Sequence, residues 1–306
     1  MQKLKVVFMG TPDYATAIMK SLLKDSEIDV VALFTQEDKP VGRKQIMTPP
    51  HVKKYLLEEG IEIPIYQPKK LRDEENVQIL KDLKPDFIVV AAYGQILPKS
   101  ILDIAPCINL HASILPKYRG ASPIQDAIKN GEEFSGVTAM LMEEGLDTGD
   151  ILGYSYLDIA DMDAPTLFEK LSVLASDLTL EVLKNFHRIE PLKQNELKTS
   201  YSKKIKKSDG IVFLDDAKSI YAKYLAYKWW PNIFLENGLK LKDIKLSNAS
   251  ELYSSGEILQ INETSFVVGC SRGSLEVFRV QPASKKEMGG VDYLRGKRLG
   301  VGDTLF

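Results

Sequence analysis

With 306 residues, 44% of them apolar, the chain is long enough for two domains and has ample material for a core, the composition of an ordinary globular protein. Its longest apolar runs are strand-length, so nothing reads as a bilayer span, and the opening MQKLKVVFMG begins structure without a signal-peptide pattern; the expected compartment is the cytoplasm. Net charge is −2, yet residues 193–306 hold 19 Lys+Arg against 13 Asp+Glu, about +6, leaving about −8 for residues 1–192, while two distant cysteines and three scattered histidines predict neither a disulfide nor a zinc site.

Residues 4–9 read as a strand, Gly10-Thr11-Pro12 breaks it, and residues 13–24 carry helical spacing through Ala17, Ile18, Ser21 and Leu22 before a second strand at 30–34. This is a βαβ unit. The Gly-Thr-Pro-Asp turn lacks GxGxxG and GK[ST], so it reads either as a tight strand-to-helix turn or as a weak phosphate cradle. Residues 35–50, TQEDKPVGRKQIMTPP, form a long connection with the cations Lys39, Arg43 and Lys44, either a loose insertion or a basic arm that orders against a phosphate-bearing partner. Helical stretches near 52–59 and 74–84 alternate with strands at 87–92 and 107–110. That alternation predicts an α/β fold, a doubly wound Rossmann-like and mostly parallel sheet with ligands at the strand carboxyl ends.

The stretch from 107 to 120, CINLHASILPKYRG, reads as a buried strand tipped by Asn109 and His111, which share a face because strand side chains repeat every second residue. A rigid exit follows through Pro116, Tyr118, Arg119 and Gly120, then a helix at 123–130. Residues 134–158 read as a hairpin around the acidic loop EEGLDTGD, where Asp147 and Asp150 serve equally well as turn residues. A core helix at 165–187 buries Leu167, Leu171, Leu174, Leu178 and Val182, and a polar linker is expected at 191–207. From 208 to 306 an aromatic-rich helical stretch precedes short strands at 233–235, 256–261, 265–269, 275–280 and 300–305, the spacing of a small OB-like β-barrel; residues 1–190 are the catalytic domain in this reading.

An acyl-transfer site needs donors aimed at the oxygen on which charge develops and a group that moves a proton near neutral pH. Asn109 and His111 meet these needs, and Asp147, if its loop lies beside that strand end, would hold the imidazole. No Ser-His or Cys-His nucleophile pair stands out, so direct transfer to an external nucleophile is expected.

The runs Asn109-Leu-His111-Ala-Ser113-Ile-Leu-Pro116-Lys-Tyr-Arg119-Gly120 and Gly145-Leu-Asp147-Thr-Gly-Asp150 resemble the signature pair of the folate-dependent formyltransferases. FMGTPDYA, DKPVGRK, AAYGQILP, ASPIQDAI and VDYLRGKRLGVGDTLF also have counterparts there, so the resemblance covers nearly the whole chain. It implies transfer of a formyl group from 10-formyltetrahydrofolate to the α-amino group of methionine on initiator tRNA, without a metal and by a monomer. It further implies that Asn109, His111 and Asp147 are the catalytic trio and that Ser113, Ile114, Leu115 and Pro116 contact the folate, with the 134–158 hairpin and AYGQILP enclosing the pterin. Lys39, Arg43, Lys44 and the basic C-terminal domain would bind the tRNA. Two departures stand out: GRKQIM is shorter and less basic than the usual GRGKK-like loop, and Tyr14 replaces a common Phe. An amino-sugar or glycinamide-ribonucleotide formyltransferase would share the trio but has less use for the basic loop and C-terminal domain, and an idle RNA-binding module would leave the trio unexplained.

Overall fold

The computed structural model describes residues 3–42 and 44–305; Arg43 lies outside the described residues. In chain order these form β1 (Leu4–Gly10), α1 (Asp13–Lys24), β2 (Ile28–Phe34), β3 (Lys39–Val41), β4 (Ile46–Thr48), α2 (His51–Glu58), β5 (Ile65–Tyr66), α3 (Glu74–Leu83), β6 (Phe87–Ala91), α4 (Lys99–Leu102), β7 (Cys107–His111), β8 (Arg119–Gly120) and α5 (Pro123–Lys129). They continue with β9 (Phe134–Leu141), β10 (Ile151–Asp158), α6 (Ala164–Asn185), β11 (Tyr201–Ser202), α7 (Ala217–Ala226), β12 (Ile233–Phe234), β13 (Lys240–Asn248), β14 (Ile258–Ile261), β15 (Phe266–Gly269), β16 (Ser274–Gln281), β17 (Met288–Gly289) and α8 (Gly290–Lys297). Two compact units result: residues 1–123, 134–158 and 168–202 in one, residues 124–133, 159–167 and 203–306 in the other. The stretch 191–207, expected as a linker, is thus divided between them at Ser202.

The first unit is built on a seven-stranded sheet in the order β10-β9-β7-β6-β1-β2-β5. Its five strands from β7 to β5 run parallel, and β9 and β10 close one edge antiparallel. Every residue of β6 is buried, as expected of a strand covered by helices on both faces. Gly10 ends β1 where a Cβ would meet Ala15 Cβ at 2.5 Å. Only glycine lets α1 close onto the strand there, so the Gly-Thr-Pro turn is the tight strand-to-helix connection. α6 buries Leu167, Leu171, Leu178 and Val182 of the expected core face, while Leu174 is only half-buried.

The described residues of the 35–50 stretch are neither structureless nor part of the main sheet, because β3 and β4 pair as a short antiparallel hairpin. Its foot is tied down. Lys53 Nζ donates to both Asp38 carboxylate oxygens at 2.8 and 3.0 Å and to Gln67 Oε1 at 2.7 Å, while Gln67 Nε2 donates to Asp38 Oδ1 at 2.8 Å and to the Gln36 carbonyl at 2.7 Å.

The second unit carries a six-stranded antiparallel sheet, ordered β12-β13-β16-β15-β14 with β17 on β16, together with α7 and α8. Its longest strand, β13, is absent from the sequence reading because bulges break its pairing with β16 and put buried Leu241 and Ile244 three residues apart, hiding the period of two. The strand expected at 300–305 is instead a turn, with Gly302 at φ +88° and Gly300 N donating to Asp303 Oδ2 at 2.7 Å, leaving one isolated bridge between Glu257 and Thr304. Among the described residues no helix is long and apolar enough to cross a membrane.

Candidate active site

β7 ends at the carboxyl edge of the sheet between parallel β6 and antiparallel β9, which fixes its register: Asn109 lies beside Val90 and Met140, and His111 beside Thr138. Between the two polar residues, the Leu110 carbonyl accepts a 3.2 Å bond from the hydroxyl of buried Tyr14. The hydroxyl that distinguishes Tyr14 from Phe is therefore tied to the strand bearing the site.

Asp147 arrives from the β9–β10 loop. Leu141 N donates to Asp150 O and Met142 N to Cys107 O, each at 2.8 Å, closing the base of the loop beside the first residue of β7. Gly149 is required at this closure, since a Cβ there would lie 1.7 Å from Leu141 O. Asp147 itself has φ +53°, a left-handed backbone that Asp tolerates better than most residues. Its Oδ1 accepts from Asn109 Nδ2 at 3.4 Å, Oδ2 accepts from Gly120 N at 2.8 Å, and Oδ2 stands 3.6 Å from His111 Nδ1. Amide, imidazole and carboxylate thus meet at one strand end, with the side chains of His111 and Asp147 only 7% and 12% exposed.

The imidazole is oriented by a group that the sequence did not signal. His111 Nε2 donates to the Tyr118 carbonyl at 2.9 Å, and because a carbonyl only accepts, Nε2 carries a hydrogen and Nδ1 is the nitrogen facing Asp147. Tyr118 is at φ +60°, and its N–H donates to Ser200 Oγ at 2.9 Å. Cys107 is no competing nucleophile. It is buried, its thiol donates to the Ala105 carbonyl at 3.4 Å, and loss of solvent pushes it up to about 12.

Residues 113–116 divide into a buried and a half-buried pair. Ser113 Oγ is spent on the Lys117 carbonyl at 2.7 Å, and Leu115 packs with Met140, Ile151 and Tyr154. Thr138 Oγ1 donates to Ser113 O at 2.6 Å and accepts from Leu115 N at 3.0 Å, pinning the segment to β9. Ile114 and Pro116 stay half-buried, and Gly136 makes room for the former, since a Cβ there would come within 2.6 Å of Ile114 Cδ1. In AYGQILP, Tyr93 and Leu97 enter a core cluster against which Met142 also packs, while Ile96 is 85% exposed. Gln95 staples this stretch to its neighbour, Oε1 accepting from Leu71 N and Nε2 donating to Pro68 O, each at 2.8 Å. Ile96 and Leu146 are exposed, and Ile114 and Pro116 are half-buried.

Behind the trio lies a second network. Arg119, 1% exposed, donates from Nε and Nη2 to Gln194 Oε1 at 3.0 and 2.8 Å and from Nη1 and Nη2 to the Glu196 carboxylate at 3.1 and 2.7 Å. Gln194 Nε2 donates onward to the carbonyls of Asp147 at 2.9 Å and Gly149 at 2.8 Å. Lys39 and Lys44 are exposed on the β3–β4 hairpin, outside this cluster.

The formyl transferase family model matches residues 3–183, and the model of the formyl transferase C-terminal domain matches residues 204–298. A methionyl-tRNA formyltransferase from a Nitratiruptor species is 60% identical over 304 residues, 99% of this chain and 100% of the relative. Another, from Campylobacter lari, is 54% identical, with 98% of this chain and 99% of the relative covered. Among solved structures, HypX from Aquifex aeolicus in complex with tetrahydrofolic acid shares the fold at a TM-score of 0.63 and 17% identity, over 98% of this chain and 48% of that one.

Proposed function

The chain belongs to the formyl transferase family, and from that premise we propose that it moves a formyl group from 10-formyltetrahydrofolate to the α-amino group of methionine on initiator tRNA, giving the N-formylmethionyl-tRNA used in translation initiation. The observation that carries this reading is the meeting of Asn109, His111 and Asp147 at one strand end, in a chain that matches relatives of that activity over its full length.

The folate donor supplies the formyl carbon. Asn109 Nδ2, whose bond to Asp147 is long at 3.4 Å, is the donor for the formyl oxygen as charge gathers there. His111 is tied through Nε2 to Tyr118, so Nδ1 is its working nitrogen; protonated, it donates to the same oxygen. Asp147, whose Oδ2 lies 3.6 Å from His111 Nδ1, receives the proton shed by the attacking amine, directly or through water, and that proton passes to folate N10 as the N10–formyl carbon bond breaks, releasing tetrahydrofolate and the formylated amine. Ile96, Leu146, Ile114 and Pro116 hold the pterin, with Ser113 and Leu115 shaping the segment from beneath. Lys39, Arg43 and Lys44 bind phosphates of the tRNA, and the basic residues after 208 supply a second surface. All three reacting groups come from one chain, so a monomer suffices, acting in the cytoplasm.

The deciding assay offers the purified chain 10-formyltetrahydrofolate with charged initiator tRNA, and in parallel with a nucleotide-linked amino sugar. Formylation of the tRNA amine is expected. Transfer to the amino sugar alone would overturn the proposal.

A further inference from the structure

We propose that Gln194 is a positioning residue for this reaction, holding the Asp147 carboxylate in register with Asn109 and His111 through the backbone of its loop; this rests on the formyl-transfer reading above. The loop that carries Asp147 is closed at its base by the Leu141–Asp150 and Met142–Cys107 bonds, but at its tip the Asp147 backbone is left-handed, its neighbour Leu146 is 61% exposed, and glycines stand at 145 and 149. A left-handed non-glycine residue persists only where surrounding structure over-determines it. One amide does that here. Both hydrogens of Gln194 Nε2 are spent on loop carbonyls, those of Asp147 and Gly149, and both lone pairs of its Oε1 accept from buried Arg119.

The arrangement grips Asp147 at both ends from one dipeptide. The Arg119 guanidinium acts through Gln194 on the Asp147 carbonyl, while the next residue, Gly120, donates its N–H at 2.8 Å to Asp147 Oδ2. Gly120 is at φ +119°, where a Cβ would meet Ser202 O at 2.2 Å, so β8 is locked to β11 on the same segment that carries Gln194. Burying a guanidinium is costly unless every donor finds a partner, and Arg119 is placed where its partners set the position of a carboxylate. No group other than a primary amide offers two donors and two acceptors on one plane; a carboxylate keeps the acceptors toward Arg119 and loses the donors toward the loop.

The test compares full-length wild type, Gln194→Ala, Gln194→Glu, Asp147→Asn and the Asp147→Asn/Gln194→Ala double variant in formylation of charged initiator tRNA, with a thermal melt of each. A displacement of about 1 Å at a reacting group costs on the order of 10² in rate. Gln194→Ala and Gln194→Glu are therefore expected to lose about that factor in kcat, with KM for folate donor and tRNA moving less than about threefold, and Gln194→Glu is expected to melt as a folded protein because Arg119 stays paired. Since Gln194 acts through Asp147, the double variant is expected to be no slower than Asp147→Asn alone, whereas independent roles would multiply. Folded Gln194→Glu with kcat within twofold of wild type, or multiplying losses in the double variant, would overturn the proposal, as would a Gln194→Glu chain that does not fold. A wild-type chain inactive on charged tRNA overturns the underlying reading as well, and is recognised before any variant is compared.

Discussion

His111 has unlike neighbours at its two nitrogens, an acceptor at 2.9 Å beyond Nε2 and a carboxylate oxygen at 3.6 Å from Nδ1. The first is a made hydrogen bond, and the second is too long to be one, which leaves Nδ1 the nitrogen without a close partner on Asp147. His111→Gln keeps a donor toward Tyr118 and removes the second nitrogen; it is expected to fold with a near-normal melt while kcat falls roughly 10²–10³-fold, the usual range for a lost oxyanion donor. Asn109→Ala is expected to cost about 10²–10³ in kcat, as for an oxyanion donor, and single-turnover rates with the folate donor check both. Thr138 belongs to the scaffold instead. Its fully buried hydroxyl serves Ser113 O and Leu115 N together, so Thr138→Val orphans a buried acceptor and a buried donor and is expected to lower stability by about 1–3 kcal/mol for each, read from a thermal melt. The two polar residues of β7 were legible because a period of two puts them on one face, and the DTGD loop because its residue types match a family signature. Tyr118 was not, because a backbone carbonyl carries no residue-type signal, and Gln194 was not, because a lone Gln in a polar stretch looks like surface.

At the scale of elements, the β3–β4 hairpin is held by the ion pair and amide at its foot rather than by its own exposed side chains, Val41, Ile46 and Met47. Lys53→Met is expected to speed hydrogen exchange across residues 39–48 and to raise KM for tRNA while leaving KM for the folate donor unchanged. Gln67 first, and Lys53 second, hold the Asp38 carboxyl below its usual range. A depressed folded value means that the contribution of Asp38 is present above the ordinary carboxylate pKa of about 4 and is lost as pH falls through the depressed one. Exchange at the hairpin is accordingly expected to be flat across neutral pH, once corrected for intrinsic rates, and to accelerate only in acid. An acceleration between pH 6 and 8 would show another group at work. The βαβ order was readable from the sequence since its buried strands are continuous apolar runs, whereas β13 was masked by bulges and α8 by the glycines at 290 and 296 that lower its apparent helical propensity.

The chain as a whole is almost neutral, and its ability to hold a polyanion depends on where its charge lies. Residues 1–192 carry about −8 and residues 193–306 about +6, so the half bearing the reacting groups would by itself repel RNA at long range. In the proposed reading the cations at 39, 43 and 44 would counter that repulsion within the acidic half, each phosphate they neutralise releasing counterions. For every such contact the slope of log(kcat/KM) for tRNA against log salt steepens by about 0.7 to 0.9. Arg43→Ala is therefore expected to flatten that slope by about 1, and Lys39→Ala with Lys44→Ala by about 2, with no change in the salt dependence of folate binding. The flattening distinguishes a phosphate contact from a general loss of fold, which would lower kcat/KM by the same factor at every salt concentration. If the slope is unchanged in both variants, the hairpin does not touch the phosphates, and the repulsion of the acidic half must be overcome from the basic residues after 193 alone.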